Sequence, residues 1–505
     1  MSPAETQAVA VPVSAPPMHL VRRVGGRSLI YTATSALQKG AMFLLLPLYT
    51  RYLTPGDYGI VAVVTAVNSL LGVFFTFSLH GAMTRFYFEY RDEPEKLKEF
   101  WGTQLTTVLL ISVISTGALF LFGERLARHF LGGIPFWPFL ALGLLIAFFQ
   151  PTFTIFLALL QTKEQAARYS IFSLAQFAAT LLLVMSLVVS FGWGATGALA
   201  GTMAASAIFF VVSLLALRRE IRFCLRPEHL RTGFSYSLPL VPHSLASQVS
   251  VISDRILLNT LLSTAAAGIY NVGYLIGSAL GFVADGVNRA YVPASMDVLK
   301  REDAHQLAQL RNVALLIVTG YVALAALVSF FAFDIMRLLI ASDFLPGFTV
   351  VPYISFAFVL TGMYFIFVNI LFFASRATRF IAMCTVGAAA ANVALNFALI
   401  PAYGLRGAAL AALFSQLLAT ASVAVIGRRY EIMRWPYLRF AAVYAVGLVS
   451  AVAVTESGVQ PHFLVKLGLY VGLLAALSTI SWGDPLYLAR RGRSLAKTWA
   501  LGPAA

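Results

Sequence analysis

Runs of about twenty apolar residues, each closed off by charge, glycine or proline, leave this chain few choices of fold. Fourteen occur, near residues 28–53, 57–81, 101–122, 136–160, 169–191, 193–217, 234–262, 266–294, 310–333, 347–373, 379–400, 404–427, 437–455 and 462–481. Backbone that enters hydrocarbon must satisfy its own N–H and C=O groups, so only helices and closed barrels cross a bilayer. Continuous apolar runs of this length are helices. With 59% hydrophobic and 11% charged residues and a mean hydropathy of +0.82, the composition excludes a soluble domain. The expected fold class is an all-α polytopic membrane protein of about fourteen transmembrane helices.

A net charge of +15 would suggest nucleic acid in a soluble protein. Here the membrane predicts the same excess, because cytoplasmic loops collect Lys and Arg. With the N-terminus inside, the tails and inner segments hold 27 of the 36 basic residues. The outer side holds six, Arg51, Arg125, Arg128, Arg337, Arg406 and Lys466, and three lie within spans. The expected topology is multi-pass with both termini cytoplasmic. The inner segments Arg85–Glu99, Arg218–Arg231, Asp297–Arg311 and Arg428–Arg439 read as topology anchors and headgroup contacts. Two cysteines, Cys224 and Cys384, give neither a disulfide framework nor metal-ligand spacing.

The sequence is duplicated. YLTPGDYGIVAVVTAVNSLLG (52–72) aligns with LLSTAAAGIYNVGYLIGSALG (261–281) at an offset of 209, pairing Gly59 with Gly268 and Ser69 with Ser278. GWGATGA (192–198) aligns with AYGLRGA (402–408) at 210. Six crossings return a chain to its starting side, so the two halves form parallel repeats with a cavity expected between them. The expected organisation is a disordered cytoplasmic tail (1–20), an N-terminal lobe (21–217), a basic cytoplasmic linker (218–233) and a C-terminal lobe (234–427). Two extra helices (428–484) and a cytoplasmic tail (485–505) follow.

Polar residues inside the spans carry the functional signal. An ionisable group at membrane depth costs about 2.5–3.5 kcal/mol even on the lenient insertion scale, so it should face water or protein. His243, Ser247, Ser250 and Asp254 fall at i, i+4, i+7 and i+11, one helical stripe, with Arg255 beside it. Asn271, Tyr274, Ser278, Asp285 and Arg289 form a second stripe. Ser28, Thr32, Ser35 and Lys39 repeat the device in the first span, and Asn68 is a further lining candidate. Lys39, Arg255 and Arg289 are candidate phosphate-binding cations. Asp254 either orients Arg255 or takes a coupling cation, and His243 is a proton-coupling candidate. The bland alternatives are an interhelical pairing of Asp254 and Arg255, mutual neutralisation of Asp285 and Arg289 at i, i+4, and interhelical hydrogen bonds for the amides. Asp254 and Asp285 differ in depth by about 16 Å, at 1.5 Å per residue, which separates them along a pathway.

Three stretches resemble the polysaccharide-exporting (Wzx-type) flippases of the multidrug/oligosaccharidyl-lipid/polysaccharide (MOP) superfamily. They are LLLPLYTRYLTPGDYGI (44–60), SDRILLNTLLSTAAAGIYNVGYLIGSAL (253–280) and NVALNFALIPAYGLRGAALAALFSQLL (392–418). The resemblance implies two six-helix lobes plus two C-terminal helices, a fold shared with multidrug exporters and peptidoglycan-precursor flippases. It implies alternating access around a cationic cavity in the bacterial inner membrane. The cargo it implies is an undecaprenyl-diphosphate-linked oligosaccharide for O-antigen, lipopolysaccharide or exopolysaccharide assembly. Possible coupling to H+ or Na+, and partnership with a polymerase and chain-length regulator, come with it. No catalytic residue, metal or cofactor is expected. A lipid II flippase and an ion-coupled multidrug exporter of the same superfamily are the alternatives. A membrane glycosyltransferase fits less well, because the outer segments are short, and no Walker sequence is present for ATP drive.

Overall fold

The structure is a computed structural model, and it describes residues 18–301, 303–373, 378–429, 435–457 and 462–482. The expected tails lie largely outside the described residues. Among those described, the fold is entirely helical.

The first lobe comprises α1 (Met18–Tyr52), α2 (Pro55–Thr76), α3 (Leu79–Tyr90), α4 (Pro94–Phe130), α5 (Ala141–Thr162), α6 (Ala166–Met185) and α7 (Gly194–Leu217). The linker carries α8 (Pro227–Ser237), and the second lobe comprises α9 (Val241–Leu261), α10 (Thr264–Gly277), α11 (Ala279–Arg301), α12 (Ala304–Phe330), α13 (Ala332–Leu339), α14 (Val351–Phe373), α15 (Thr378–Tyr403) and α16 (Leu405–Arg428). Helices α17 (Tyr437–Glu456) and α18 (Phe463–Trp482) pack on α12 of the second lobe, with α17 reaching α14 as well.

The duplication is written in the helix boundaries. Pro55, which opens α2, and Thr264, which opens α10, stand 209 positions apart. Both α2 and α10 start from a side-chain cap. Thr54 accepts from the Asp57 backbone N–H while the Asp57 carboxylate accepts from the Thr54 N–H, and Ser263 accepts from the Ala266 N–H. Both spans then break, at Phe77–Ser78 and at Ser278. The break in the first lobe puts two non-glycine residues in left-handed backbone, Phe77 at φ 43° and Ser78 at φ 57°.

Twelve helices among the described residues are long and apolar enough to cross a membrane, so the chain is a multi-pass membrane protein. Of the fourteen expected spans, those built on α1 and α9 stand outside that set. For α9 the cause is plain: His243, Gln248, Asp254, Arg255 and Asn259 dilute its apolar content. Several of the basic inner segments are helical in part. Residues Arg85–Tyr90 continue α3, α4 begins at Pro94, and α11 runs to Arg301. Ion pairs one turn apart support these extensions, with Lys98–Glu95 at 2.8 Å and Arg301–Asp297 at 2.9 Å. The linker carries α8, which packs on α3 and α4.

Candidate functional site

The lobes meet along α2, α9 and α10, and they meet unevenly. Where α2 and α10 begin, the contact is backbone to backbone. A Cβ built on Gly59 would fall 1.8 Å from the Thr264 carbonyl oxygen, and one on Gly268 would fall 2.1 Å from that of Pro55. Only glycine permits so close an approach. Gly59 and Gly268 are repeat equivalents that touch each other, so the local twofold axis runs between them. Asn259 Nδ2 seals the same end by donating to the Gly132 carbonyl at 2.8 Å, while Thr264 Oγ1 donates to Asn259 Oδ1 at 2.7 Å. Val63, Val64, Phe136, Leu258, Tyr270 and Ile354 fill the space around these contacts.

At the opposite end the lobes part around a cavity of about 700 Å³. It lies between α2, α5 and α7 of the first lobe and α9 of the second. Its polar lining is Thr65, Asn68, Ser69 and Thr76 of α2, Ser78 and His80 at the α2–α3 break, Gln150 and Thr154 of α5, Thr202 of α7, and His243, Ser244, Ser247 and Gln248 of α9. Among the described residues, the lining includes no Lys, Arg, Asp or Glu. This differs from the expected cationic cavity. The groups present are hydroxyls, carboxamides and two imidazoles, a set that can donate and accept hydrogen bonds in many directions.

Of the sequence candidates, Asn68 and His243 line this cavity. Four others gather one to two turns further along α9, toward the closed end. Asp254 is 1% exposed. Its Oδ2 accepts from the Tyr270 hydroxyl at 2.6 Å and its Oδ1 from Asn396 Nδ2 at 2.8 Å. Ser253 Oγ donates to Asn392 Oδ1 at 2.5 Å, and Asn392 Nδ2 donates to Ser415 Oγ at 3.3 Å, extending the network across α15 and α16. Arg255 points the other way, as neighbours about 100° apart on a helix must. Its guanidinium carbon lies 3.8 Å from the Tyr274 ring centroid, its Nε donates to Asn271 Oδ1 at 3.3 Å, and an NH group donates to the Val251 carbonyl. Tyr58, brought by α2 from the other lobe, faces this same group.

Among the described residues, Arg255 has no direct ion pair with a carboxylate, and the Asp254 carboxylate is held by neutral donors alone. Among the described residues, the partners that other helices bring to Asp254 and Arg255 are thus neutral and not opposite charges. Asp285 and Arg289 form no ion pair either, although a helical turn separates them. Asp285 is half-buried near Tyr321 of α12, and Arg289 is exposed on α11. The second polar stripe thus divides between Asn271 and Tyr274 at the closed end and Asp285 and Arg289 on α11. The Lys39 side chain lies outside the described residues. Gln150 and Gln248 were missed in the sequence, because a lone amide in an apolar run shares no stripe with charge.

A polysaccharide biosynthesis protein family model matches residues 26–299, more than half of the chain. The chain belongs to that family. Comparison with curated protein sequences gives no match. The fold is similar to that of lipid II flippase MurJ in an inward closed conformation, with a TM-score of 0.61 at 14% identity over 86% of this chain and 98% of that one. It is similar to an inward-facing multidrug resistance MATE family transporter of the MOP superfamily, with a TM-score of 0.61 at 15% identity over 83% and 96% of the two chains. An outward-facing MATE family transporter aligns at 0.51, with 14% identity over 85% and 97%. The family member described here therefore shares its overall fold with these three transporters.

Proposed function

We propose that this protein is a flippase that carries an undecaprenyl-diphosphate-linked oligosaccharide across the bacterial inner membrane for surface or exopolysaccharide assembly. The cavity lining carries the reading. Sugar hydroxyls crossing hydrocarbon lose water with nothing in exchange, and hydroxyl and carboxamide walls replace those hydrogen bonds. A cavity for cationic drugs would need carboxylates, and the described lining holds none. In this reading the open end faces the cytoplasm, in keeping with the bias of Lys and Arg toward that side.

Alternating access supplies the cycle. The saccharide enters the open cavity while the lipid tail stays outside the protein. In this reading Arg289, exposed on α11, meets the diphosphate at the margin, and Phe282 on the same helix touches Phe43 of α1. Lys39 of α1 is the second cation we assign to that margin. When the lobes rock, Gly59 and Gly268 separate and the outer end opens. Arg255, now shut between Tyr274 and Asn271, then faces the pathway and receives the diphosphate for release. Asp254 is the coupling group: a buried carboxylate with neutral donors, beside an Asn396 Oδ1 without a hydrogen-bond partner, takes up H+ or Na+. A polymerase and a chain-length regulator would act on the delivered units, outside this chain.

The test is leaflet-resolved accessibility of a fluorescent lipid-diphosphate oligosaccharide in vesicles containing this chain alone. Faster loss of protected label than in empty vesicles is expected. Equal rates would overturn the proposal, and faster movement of lipid II than of any oligosaccharide substrate would reassign the cargo to peptidoglycan precursor.

A further inference from the structure

A second cavity, of about 420 Å³, opens at the end of the first lobe where α5 and α7 finish and α6 begins. Its mouth carries Lys163, Arg168, Arg218 and Arg219 against a single carboxylate, Glu220. Lys163 spends its charge on Glu220 at 2.6 Å, and Arg168 donates to the Gln165 side chain at 3.2 Å. Arg218 and Arg219 are exposed and have no ion pair among the described residues. Behind the cations the wall is apolar, formed by the Trp101 ring under Lys163 at 5.1 Å and by Phe172 and Leu215. Leu215 is 56% exposed on the outward surface of α7, so the wall runs out onto the face that meets lipid.

The duplication says what such a surface needs. Arg428 and Arg429 stand 210 positions after Arg218 and Arg219 and end α16 in the same way. There the protein covers the site itself. The Arg428 guanidinium stacks on Tyr437 at 4.1 Å, and Trp435, Tyr437 and Phe440 pack on Phe367 with ring centroids 5.7–5.8 Å apart. That cover comes from the segment that starts α17; among the described residues no aromatic ring stacks on Arg218 or Arg219. The first lobe's copy of the surface keeps paired arginines over an apolar slot.

We propose that this pocket binds an anionic phospholipid, with its phosphodiester on Arg218 and Arg219 and its acyl chain along Phe172 and Leu215. A phosphate oxygen pair matches the guanidinium fork, and the chain replaces the aromatic cover that the second lobe supplies for itself. The site lies apart from the interlobe cavity and does not depend on what that cavity carries.

Delipidated full-length protein, titrated with dioleoylphosphatidylglycerol or dioleoylphosphatidylcholine and read by native mass spectrometry, tests this. One tightly retained phosphatidylglycerol per chain is expected, with phosphatidylcholine held at least tenfold more weakly. The Arg218→Ala/Arg219→Ala variant should bind phosphatidylglycerol about tenfold or more weakly, since each cation near an anionic lipid contributes appreciably. The Arg226→Ala/Arg231→Ala variant, which removes the same charge from the exposed linker, should bind as the parent does. Equal weakening in both variants, or no retained phosphatidylglycerol in the parent, overturns the proposal. Displacement of the lipid by chain-free glycerophosphoglycerol at equal concentration would show a soluble-anion site and overturn it as well.

Discussion

Replacing Gly59 by Ala should drive the lobes apart at their closed end. The added methyl would sit 1.8 Å from the Thr264 carbonyl oxygen, where ordinary contact begins near 3.4 Å. Neither side can yield locally, because the obstacle is backbone inside a capped helix. The helices must therefore separate by about 1.6 Å, which breaks the contact on the local axis. Overpacking of this kind costs about 1–3 kcal/mol, and the cost falls only on the conformation in which the glycines touch. The balance between the two lobe arrangements should shift by about 5–150-fold. Maleimide labelling reads it in a background lacking Cys224 and Cys384. In the parent, Gln248→Cys in the cavity wall should label from the open end, and Ala267→Cys, fully buried at the closed end, should not. With Gly59→Ala, the first should slow and the second should appear from the opposite side. Gly72→Ala is the control, because nothing lies within 4 Å of its added methyl. An unchanged pattern in folded, monodisperse Gly59→Ala protein would refute the assignment of this contact as the gate.

Arg255→Ala should abolish transport while the protein persists in the membrane. Arg255→Lys should recover less than a tenth of the parent rate, because an ammonium cannot lie flat on Tyr274 and also donate to Asn271 and Val251. Vesicle transport assays decide both, and normal transport by Arg255→Ala would remove its assigned role. Asp254→Asn should make transport indifferent to an imposed H+ or Na+ gradient while leaving thermal stability in detergent close to that of the parent. A retained gradient response would exclude Asp254 as the coupling group. Asp334→Asn should lower the melting temperature, because Lys466, wholly buried, would lose its 2.6 Å carboxylate partner at the junction of α13 and α18. The loss should be about 1–3 kcal/mol, below the 3–5 kcal/mol of a fully buried pair since Asp334 is partly exposed. An unchanged melting curve would exclude that ion pair as a fastening for the last two helices.

The fold was legible because its constraints are repetitive. Apolar runs marked an all-helical membrane fold, and the Gly59–Gly268 alignment revealed the repeat that the starts of α2 and α10 reproduce. The same alignment marked the axis, since glycines retained at equivalent positions of two helices are where those helices can touch. The candidate site was legible only in part. Helical periodicity placed His243 and Ser247 on one face, and both line the cavity. It also aligned Asn271 and Tyr274 with Asp285 and Arg289, but a helix break at Ser278 lies between them. A stripe drawn through a break is not a surface. The uncharged polar lining went unread for a different reason. Charges signal loudly in an apolar sequence, whereas Gln150, Gln248 and the Ser and Thr hydroxyls carry little signal and make up most of the polar wall.

The duplication also argues for what the charges do. Shifted by 209 positions, Asp254 and Arg255 of α9 correspond to Leu45 and Leu46 of α1. Leu46 is 3% exposed and packs with Val272, Ile276 and Phe344, so an apolar residue serves well at the equivalent place. Burying a charge is expensive, and well-packed apolar residues generally match or exceed a buried ionic group in stability. Fastening α9 to its lobe therefore does not require Asp254. In the proposed cycle the charges are used where the site changes state. A carboxylate that is neutralised by a cation in one arrangement of the lobes, and a guanidinium uncovered in the other, both meet that condition. The asymmetry of two otherwise equivalent helices thus supports the proposal that energy coupling belongs to the second lobe and cargo entry to α1 in the first.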